Sequence, residues 1–178
     1  MDLSDKKFGL FFGSETGNTE DVTNRIVELW KISELEVINA AEMTVEDYER
    51  FDIIMIGLST WYDGELQSNF DEFFDDFNTI DFSGKVVALY GLGDQVGYPE
   101  FFVDSLGILG EVILNNGGKI VGMWPREGYD FDESKGLYND KLFYGLPLDF
   151  ENQMDMTQPR IEAWLKQVEN ELKDIEMK

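Results

Sequence analysis

Short apolar runs alternate with longer amphipathic stretches along the whole chain of 178 residues. Each run is only four or five residues long and is rich in Val, Ile, Leu and Phe, which is typical of a buried strand. The pattern therefore predicts five strands, at residues 8–12, 35–38, 53–56, 86–90 and 120–124.

The stretches between these runs carry apolar residues at the spacing of one helical face. After the first run, apolar residues recur every four positions at Val22, Ile26 and Trp30. Thr44 and Asp47 have the spacing of a capping box, which opens a short helix. The same spacing predicts further helices over residues 70–77, 99–115 and 157–175.

The regular alternation of strand and helix is typical of an α/β protein with a parallel sheet. Crossovers between parallel strands are right-handed, so helices cover both faces and the sheet is doubly wound. Ligands of such sheets bind beyond the carboxyl ends of the strands, where the strand order reverses. We therefore predict one domain over residues 1–178, with its site in the loops after the first, third and fourth strands.

Residues 125–141 break this rhythm, because they are polar and include Gly128 and Gly136. Apolar residues resume at Leu142 and continue to Leu146. We interpret the segment as an insertion that interrupts the fifth strand, and not as a boundary between domains. Its polar composition leaves it little to bury, so we expect it to serve partner docking.

The side-chain chemistry of the chain is restricted, because it contains no Cys and no His. This excludes disulfides, Cys-ligated iron–sulfur clusters and His-based catalysis. Any chemistry must come from carboxylates, hydroxyls, backbone amides, aromatic rings or a bound organic cofactor. We predict neither a catalytic triad nor a metal site.

The chain is strongly acidic, with 37 acidic against 14 basic residues and a net charge of −23. Such a surface repels nucleic acids and anionic membranes and attracts basic proteins. The alternative is that the acidity only keeps the protein soluble. The chain has no apolar run of transmembrane length, and residues 1–5 lack the features of a secretory signal, so we expect a cytoplasmic protein.

The loop after the first strand is rich in hydroxyl groups and leads into a helix. Hydroxyl and backbone N–H donors at the positive end of a helix dipole suit a phosphate group. The loop contains no Lys or Arg, so it is not the phosphate loop of a nucleotide-hydrolysing enzyme. An ordinary helix-capping turn is the alternative. The predicted phosphate-binding residues are Ser14, Glu15, Thr16, Gly17, Asn18 and Thr19.

Two further loops offer aromatic rings at the same edge of the sheet. The loop after the fourth strand nearly matches a dinucleotide fingerprint, but its last glycine comes one residue late and it follows the wrong strand. We therefore reject a nicotinamide site. Trp61 and Tyr98 would lie about the length of a flavin ring from the phosphate loop. This combination suggests a pocket for flavin mononucleotide (FMN). The other residues predicted to contact FMN are Ser59, Thr60, Trp61, Tyr62, Asp63, Gly64, Leu92, Gly93, Asp94 and Tyr98.

The sequence resembles the flavodoxin family over nearly the whole chain, and these three loops resemble its sequence motifs. Residues 11–19 resemble the family's phosphate loop, residues 60–66 its second flavin loop and residues 91–98 its third. The interrupted fifth strand, together with residues 146–153 after it, resembles the long-chain subgroup of the family. The resemblance implies a flavodoxin-like strand order of 2-1-3-4-5.

The resemblance also assigns roles to single residues. It implies that Trp61 and Tyr98 sandwich the isoalloxazine ring and that Asp94 lies near the pyrimidine edge of that ring. Tyr62 and Asp63 depart from the family, since many relatives have a neutral pair before Gly64. A carboxylate facing the flavin would disfavour the reduced anion, so the family's redox potentials are not carried over to this chain.

The resemblance implies a low-potential electron carrier with tightly but non-covalently bound FMN and no substrate of its own. It would act as a monomer between basic-faced redox proteins, such as an NADPH-dependent flavodoxin reductase, and acceptor enzymes. One alternative is an FMN-dependent quinone or nitro reductase, because fold alone does not determine function. Another is a phospho-acceptor signalling domain, which would need an acidic cluster where this chain has Gly13, Ser14 and Glu15.

Overall fold

The computed structural model describes residues 3–175, so residues 1–2 and 176–178 of the predicted domain lie outside the described residues. The strands within residues 3–175 are β1 (Phe8–Phe12), β2 (Leu35–Asn39), β3 (Ile53–Trp61), β4 (Glu65–Leu66), β5 (Val86–Leu92), β6 (Lys119–Val121), β7 (Trp124–Pro125), β8 (Leu142–Phe143) and β9 (Leu146–Leu148). The helices are α1 (Asn18–Leu29), α2 (Val45–Glu49), α3 (Ser68–Phe77), α4 (Asp104–Asn115) and α5 (Thr157–Asp174). A short 3-10 helix, Met154–Met156, precedes α5.

The central sheet is parallel and has the order β2-β1-β3-β5-β6. Because β5 is the predicted fourth strand and β6 begins the predicted fifth, this order confirms the predicted order 2-1-3-4-5. Strand β5 pairs with β6 along its first half and with β9 along its second half, and both pairings are parallel. Residues 122–145 leave the sheet between these two halves, so an insertion does interrupt the fifth strand.

Helices cover both faces of the sheet, and each face has its own core. On one face, α1 and α5 pack onto the strands through side chains such as Ile26 and Trp164, which are fully buried. On the other face, α2, α3 and α4 form an aromatic-rich core in which the rings of Phe11 and Tyr48 stack with centroids 3.9 Å apart. The predicted capping box of Thr44 and Asp47 is present at the start of α2.

Two strand boundaries differ from the prediction by three residues or more. Strand β3 continues past residue 56 to Trp61 and then turns back as β4, so the second site loop is a hairpin. Strand β6 ends at Val121 and not at residue 124, because Gly122 adopts a φ of 72° and turns the chain out of the sheet. A side chain at this position would also collide with Trp164, whose Nε1 donates to the Gly122 carbonyl at 2.9 Å.

Helix α4 begins at Asp104, and the prediction that it begins near residue 99 was wrong. The Pro99 carbonyl accepts hydrogen bonds from the backbone N–H groups of Asp132 at 2.8 Å and Glu133 at 3.0 Å. The insertion therefore holds this turn outside the helix. Val103, directly before α4, has a φ of 48°, a left-handed conformation that is rare for a β-branched residue.

The insertion packs into the core of the domain. Phe131 is only 9 % exposed, and its ring centroid lies 5.3 Å from that of Phe102 and 5.5 Å from that of Phe143. The Ser134 hydroxyl donates to the Phe102 carbonyl. The expectation that this segment has little to bury was wrong, because its few aromatic side chains provide apolar surface that composition alone understates.

We expect Phe131→Ala to lower the free energy of unfolding by about 3 kcal/mol, because it removes a buried ring and leaves a cavity. Equilibrium unfolding in urea would measure the change. Glu133→Ala is the control, since this neighbouring side chain is exposed and should contribute less than about 0.5 kcal/mol. Equal and small effects of both substitutions would contradict a structural role of the insertion.

Candidate functional site

The loops after β1, β3 and β5 meet at the carboxyl edge of the sheet and form a cleft of about 210 Å³. All residues predicted to contact a cofactor line this cleft except Gly17, Asp63 and Gly64, which belong to the same loops. The structure thus brings the three predicted loops together. The lining residues are Ser14, Glu15, Thr16, Asn18, Thr19, Ser59, Thr60, Trp61, Tyr62, Leu92, Gly93, Asp94, Tyr98, Phe101, Phe150 and Glu151.

Three of these lining residues, Phe101, Phe150 and Glu151, were not predicted. Phe101 lies just past Tyr98, beyond the end of the recognisable motif. Phe150 and Glu151 follow β9 closely, at the carboxyl end of the interrupted fifth strand. The rule that ligands bind at the carboxyl ends of strands applies to this strand as well and would have indicated them.

The first loop presents donors at the start of α1. Gly17 precedes the helix with a φ of 93°, which glycine adopts without strain, and its N–H donates to Ser14 Oγ at 3.1 Å. The first N–H groups of a helix have no partner within the helix and can bind an anion. No Lys or Arg is found among the described residues that line the cleft, so this loop offers a phosphate only neutral donors and the helix dipole.

The Glu15 carboxylate links this loop to a second helix. Its Oε1 accepts a hydrogen bond at 2.9 Å from the N–H of Ser68, the first residue of α3. An acidic group at a helix start is favourable, because it accepts from a free N–H and lies at the positive end of the dipole. The sequence did not predict this contact, which joins two residues that are 53 positions apart.

The second loop is the tight hairpin between β3 and β4. Trp61 pairs with Glu65 across the hairpin, and the turn residues Tyr62 and Gly64 have φ values of 43° and 87°. Nε1 of Trp61 is buried and has no hydrogen-bond partner within residues 3–175. An unpaired buried N–H is costly, so this group suits a ligand that brings an acceptor into the cleft. Asp63 is exposed on the turn.

The third loop contains an ionised carboxylate held by neutral donors. Burial raises the pKa of Asp94, but three hydrogen bonds outweigh this effect and hold the pKa below its ordinary value. The donors are Gly97 N at 2.7 Å, Asn152 Nδ2 at 2.8 Å and Val96 N at 3.1 Å. Tyr98, the predicted second stacking residue, is 45 % exposed beside this turn.

Asp149 anchors the third loop through hydrogen bonds to Gln95. Its carboxylate is fully buried and accepts from Gln95 N at 3.0 Å, from Gln95 Nε2 at 2.8 Å and from Asn152 N at 3.0 Å. Gln95 Oε1 in turn accepts from the backbone N–H of Asp130 at 2.6 Å. The third loop is therefore tied both to the segment after β9 and to the insertion.

The cleft is lined by hydroxyl, amide, carboxylate and aromatic groups. Within residues 3–175, no cluster of Asp or Glu side chains has an arrangement that could hold a metal ion. In that same part of the chain, no helix combines the length and the apolar character needed to cross a membrane.

The fold and the cleft define a doubly wound α/β protein with a donor-rich loop and aromatic side chains at the switch point of its sheet. The model of the flavodoxin family matches residues 10–164. The chain therefore belongs to the flavodoxin family. Its split fifth strand is compatible with the long-chain subgroup, which stays a prediction.

Individual flavodoxins are similar over almost the full chain. Flavodoxin 1 of Escherichia coli is 45 % identical over 164 residues, which are 92 % of this chain and 93 % of that protein. The flavodoxin of Synechocystis is 45 % identical over 163 residues, 91 % of this chain and 95 % of that protein. The crystal structure of Fusobacterium nucleatum flavodoxin bound to flavin mononucleotide has a TM-score of 0.88 and 31 % identity, and the match covers 93 % of this chain and 98 % of that one.

Glu15→Ala should lower the free energy of unfolding by about 1 kcal/mol, because it leaves the first N–H of α3 without its carboxylate acceptor. Urea denaturation without added salt would measure this change, and Glu15→Gln, which keeps an acceptor oxygen, should recover part of the loss. Glu42→Ala is the matched control, because Glu42 is exposed outside the helices. If Glu15→Ala is no more destabilising than Glu42→Ala, the contact does not stabilise α3.

Proposed function

We propose that the protein is an electron carrier whose redox group is one FMN, bound tightly but without a covalent bond. One observation carries the proposal: the donor-rich loop at the start of α1 shares a cleft with the buried, unpaired Nε1 of Trp61. A phosphate suits the loop, and a cofactor that extends from the loop would bring acceptors to the Trp61 hairpin. The flavodoxin relatives support the proposal, and one of them was solved with FMN.

In this proposal the first loop binds the FMN phosphate, and Glu15 contributes through its backbone because its carboxylate is bound to α3. Trp61 and Tyr98 stack on the isoalloxazine ring, and Asp94 lies near the pyrimidine edge. The remaining contacts come from the rest of the second and third loops, namely Ser59, Thr60, Tyr62, Asp63, Gly64, Leu92 and Gly93.

Bound FMN supplies the electron transfer, and the protein tunes it. The electron-rich faces of Trp61 and Tyr98 disfavour negative charge on a ring stacked between them. Asp94 adds a fixed negative charge, because its pKa lies below its ordinary value and it is ionised at neutral pH. Since no cation lines the described cleft to oppose these effects, we infer a low potential.

A reductase that acts on quinones or nitro compounds is the alternative function on this fold. Such an enzyme would need a place for a second substrate and a side chain that supplies protons, and the chain has no His for that purpose. The relatives at 45 to 46 % identity are named flavodoxins over nearly their full length. The carrier function is therefore favoured over the enzyme.

The proposed partners are redox proteins with basic faces, such as an NADPH-dependent flavodoxin reductase, and acceptor enzymes. Lys and Arg are absent from residues 8–24, 51–84 and 86–118, which carry the first three cleft loops and α3. Basic residues instead lie near the amino ends of the strands, at Lys6, Lys7, Lys31, Arg50, Lys85 and Lys119. This distribution would orient the cleft edge toward a basic partner.

We also propose a cytoplasmic monomer that contacts neither nucleic acid nor membrane. Copies with a net charge of −23 repel each other, and they repel phosphate backbones and anionic lipids. A carrier must leave each partner after one transfer, so its complexes should be small and short-lived.

The purified protein should bind one FMN per chain, and Thr16→Ala should weaken FMN binding more than riboflavin binding. The reason is that riboflavin lacks the phosphate, and one hydrogen bond to a charged group contributes about 1.5–3 kcal/mol. This corresponds to a roughly 10- to 150-fold rise in the Kd of FMN. Quenching of flavin fluorescence would measure both Kd values.

Riboflavin is the internal control, and equal losses for the two ligands would contradict the placement of the phosphate. The FMN-loaded protein alone should not oxidise NADPH, whereas addition of a flavodoxin reductase should reduce its flavin. NADPH oxidation by the protein alone, with a quinone or nitro compound as acceptor, would favour the reductase.

Reversing Glu65, Asp71 and Glu72 to Lys should slow flavin reduction by a flavodoxin reductase at low salt, with FMN affinity nearly unchanged. These acids are exposed on β4 and on the first half of α3, whose first residue contacts the cleft residue Glu15. The wild-type rate should itself fall steeply with added salt, because the Debye length shrinks to about 8 Å at physiological ionic strength. Stopped-flow absorbance would give the rates.

The matched control reverses three exposed acids near the amino ends of the strands, Glu28, Glu34 and Glu49, and changes the net charge by the same amount. It should reduce the rate much less than the triple variant at the cleft edge. Equal slowing by both variants would mean that net charge alone acts. A rate that changes neither with added salt nor in either triple variant would mean that the acidity only keeps the protein soluble.

A further inference from the structure

A buried carboxyl group lies directly behind the hairpin of the second loop. Asp104, the first residue of α4, is only 1 % exposed. A Cβ built on Gly64 would lie 2.7 Å from Asp104 Oδ2, so the carboxyl packs against the backbone of the hairpin turn. Gly64 has a φ of 87°, which further restricts this position to glycine.

The other carboxyl oxygen of Asp104 contacts the insertion. Oδ1 accepts a hydrogen bond from the backbone N–H of Lys135 at 2.8 Å. This single side chain therefore bridges the cleft hairpin and the insertion, two segments that are about 70 residues apart in the chain. No prediction from sequence connected these segments, because the chemistry of an isolated Asp does not indicate its contacts.

The start of α4 holds the hairpin on both sides of its turn. Ser105, next to Asp104, accepts a hydrogen bond from Thr60 Oγ1 at 2.8 Å and donates its N–H to the same oxygen at 3.1 Å. Val103, on the other side of Asp104, keeps the left-handed φ of 48°. A strained conformation persists only where surrounding contacts enforce it, so the position of Asp104 is tightly determined.

We propose that Asp104 is a positioning residue that holds the turn Tyr62–Gly64 against the cofactor, and that its charge disfavours the fully reduced state of bound FMN. The electron comes from the donor protein, and no bond forms or breaks at Asp104. This inference rests on the proposed function as an FMN carrier.

The surroundings of Asp104 have opposing effects on its charge. Burial raises the pKa of the carboxyl above its ordinary value, the Lys135 N–H and the charge of Lys135 offset only part of this effect, and Glu133 adds to it. The positive end of the α4 dipole also favours the ionised form. A charge that is kept out of water acts over a longer distance than an exposed one, because solvent screens it less.

Two substitutions separate the positioning effect from the charge effect. Asp104→Asn removes the charge but keeps an oxygen that can accept from Lys135 N–H. Asp104→Ser removes the contact with Gly64 as well, and Ser is well tolerated at a helix start. Glu133→Gln is the matched control, because it removes one exposed negative charge nearby without touching the hairpin.

The first readout is amide hydrogen exchange of β4 (Glu65–Leu66) in the full-length protein, with and without FMN. Asp104→Ser should speed exchange at least tenfold in both forms, and Asp104→Asn and Glu133→Gln should stay within twofold of wild type. Exchange within twofold for Asp104→Ser would overturn the positioning role.

The second readout is the midpoint potential of the second one-electron step of bound FMN. Asp104→Asn should shift this equilibrium about tenfold toward full reduction, which is about 59 mV for one electron. Glu133→Gln should shift it less than twofold. Equal shifts in the two variants, or no shift in either, would overturn the charge role of Asp104.

A double-mutant cycle tests the contact itself. Gly64→Ala should raise the equilibrium constant for unfolding at least tenfold less in the Asp104→Ser background than in wild type, because the new methyl group no longer meets the carboxyl. Equal costs would mean that Asp104 does not touch the turn in solution. The exchange measurement without FMN and this cycle do not require the cofactor, so failure of wild type to bind FMN would refute the proposed function separately.

Discussion

Strand β5 is the element on which the rest of the structure depends, because its pairing joins both halves of the interrupted fifth strand to the sheet. It lies beside β3 on one side, and on the other side it holds β6 with its first half and β9 with its second. Both halves of the fifth strand are therefore fixed in register, although residues 122–145 separate them. The loops after β3 and β5 and the residues after β9 all reach the cleft, so this pairing also assembles most of the site.

Anionic groups around the cleft accept their hydrogen bonds from backbone and amide N–H donors and not from Lys or Arg side chains. Asp94 accepts from Gly97 N, Asp104 accepts from Lys135 N, and Glu15 accepts from the first N–H of α3. The phosphate of FMN would meet donors of the same kind. Neutral donors stabilise an anion without adding positive charge, so the flavin would stay in a net negative environment. That environment suits both a low potential and a basic partner.

The sequence predicted the strands and most of the cleft, because apolar runs and the donor-rich loop depend on residues that are close in the chain. The strand order was implied by the resemblance to the family. The missed features depend on distant contacts. Helix α4 starts at Asp104 because the insertion binds the Pro99 carbonyl, and Phe131 is buried within a segment of polar composition. Phe150 lies behind the interruption of the fifth strand, where the alternating pattern no longer points to the cleft.

Both parts of the site depend on supports that are distant in the chain. The Glu15 carboxylate of the phosphate loop accepts from the first N–H of α3, 53 positions away. The ring-binding loops are supported by Lys135 and Asp130 of the insertion, across 31 and 35 positions, and by Asp149, across 54 positions. Loops of similar length cost similar entropy to close, so chain distance favours neither part during folding. A newly synthesised chain would thus offer FMN a complete site only after residue 149 has been made and the whole domain has folded.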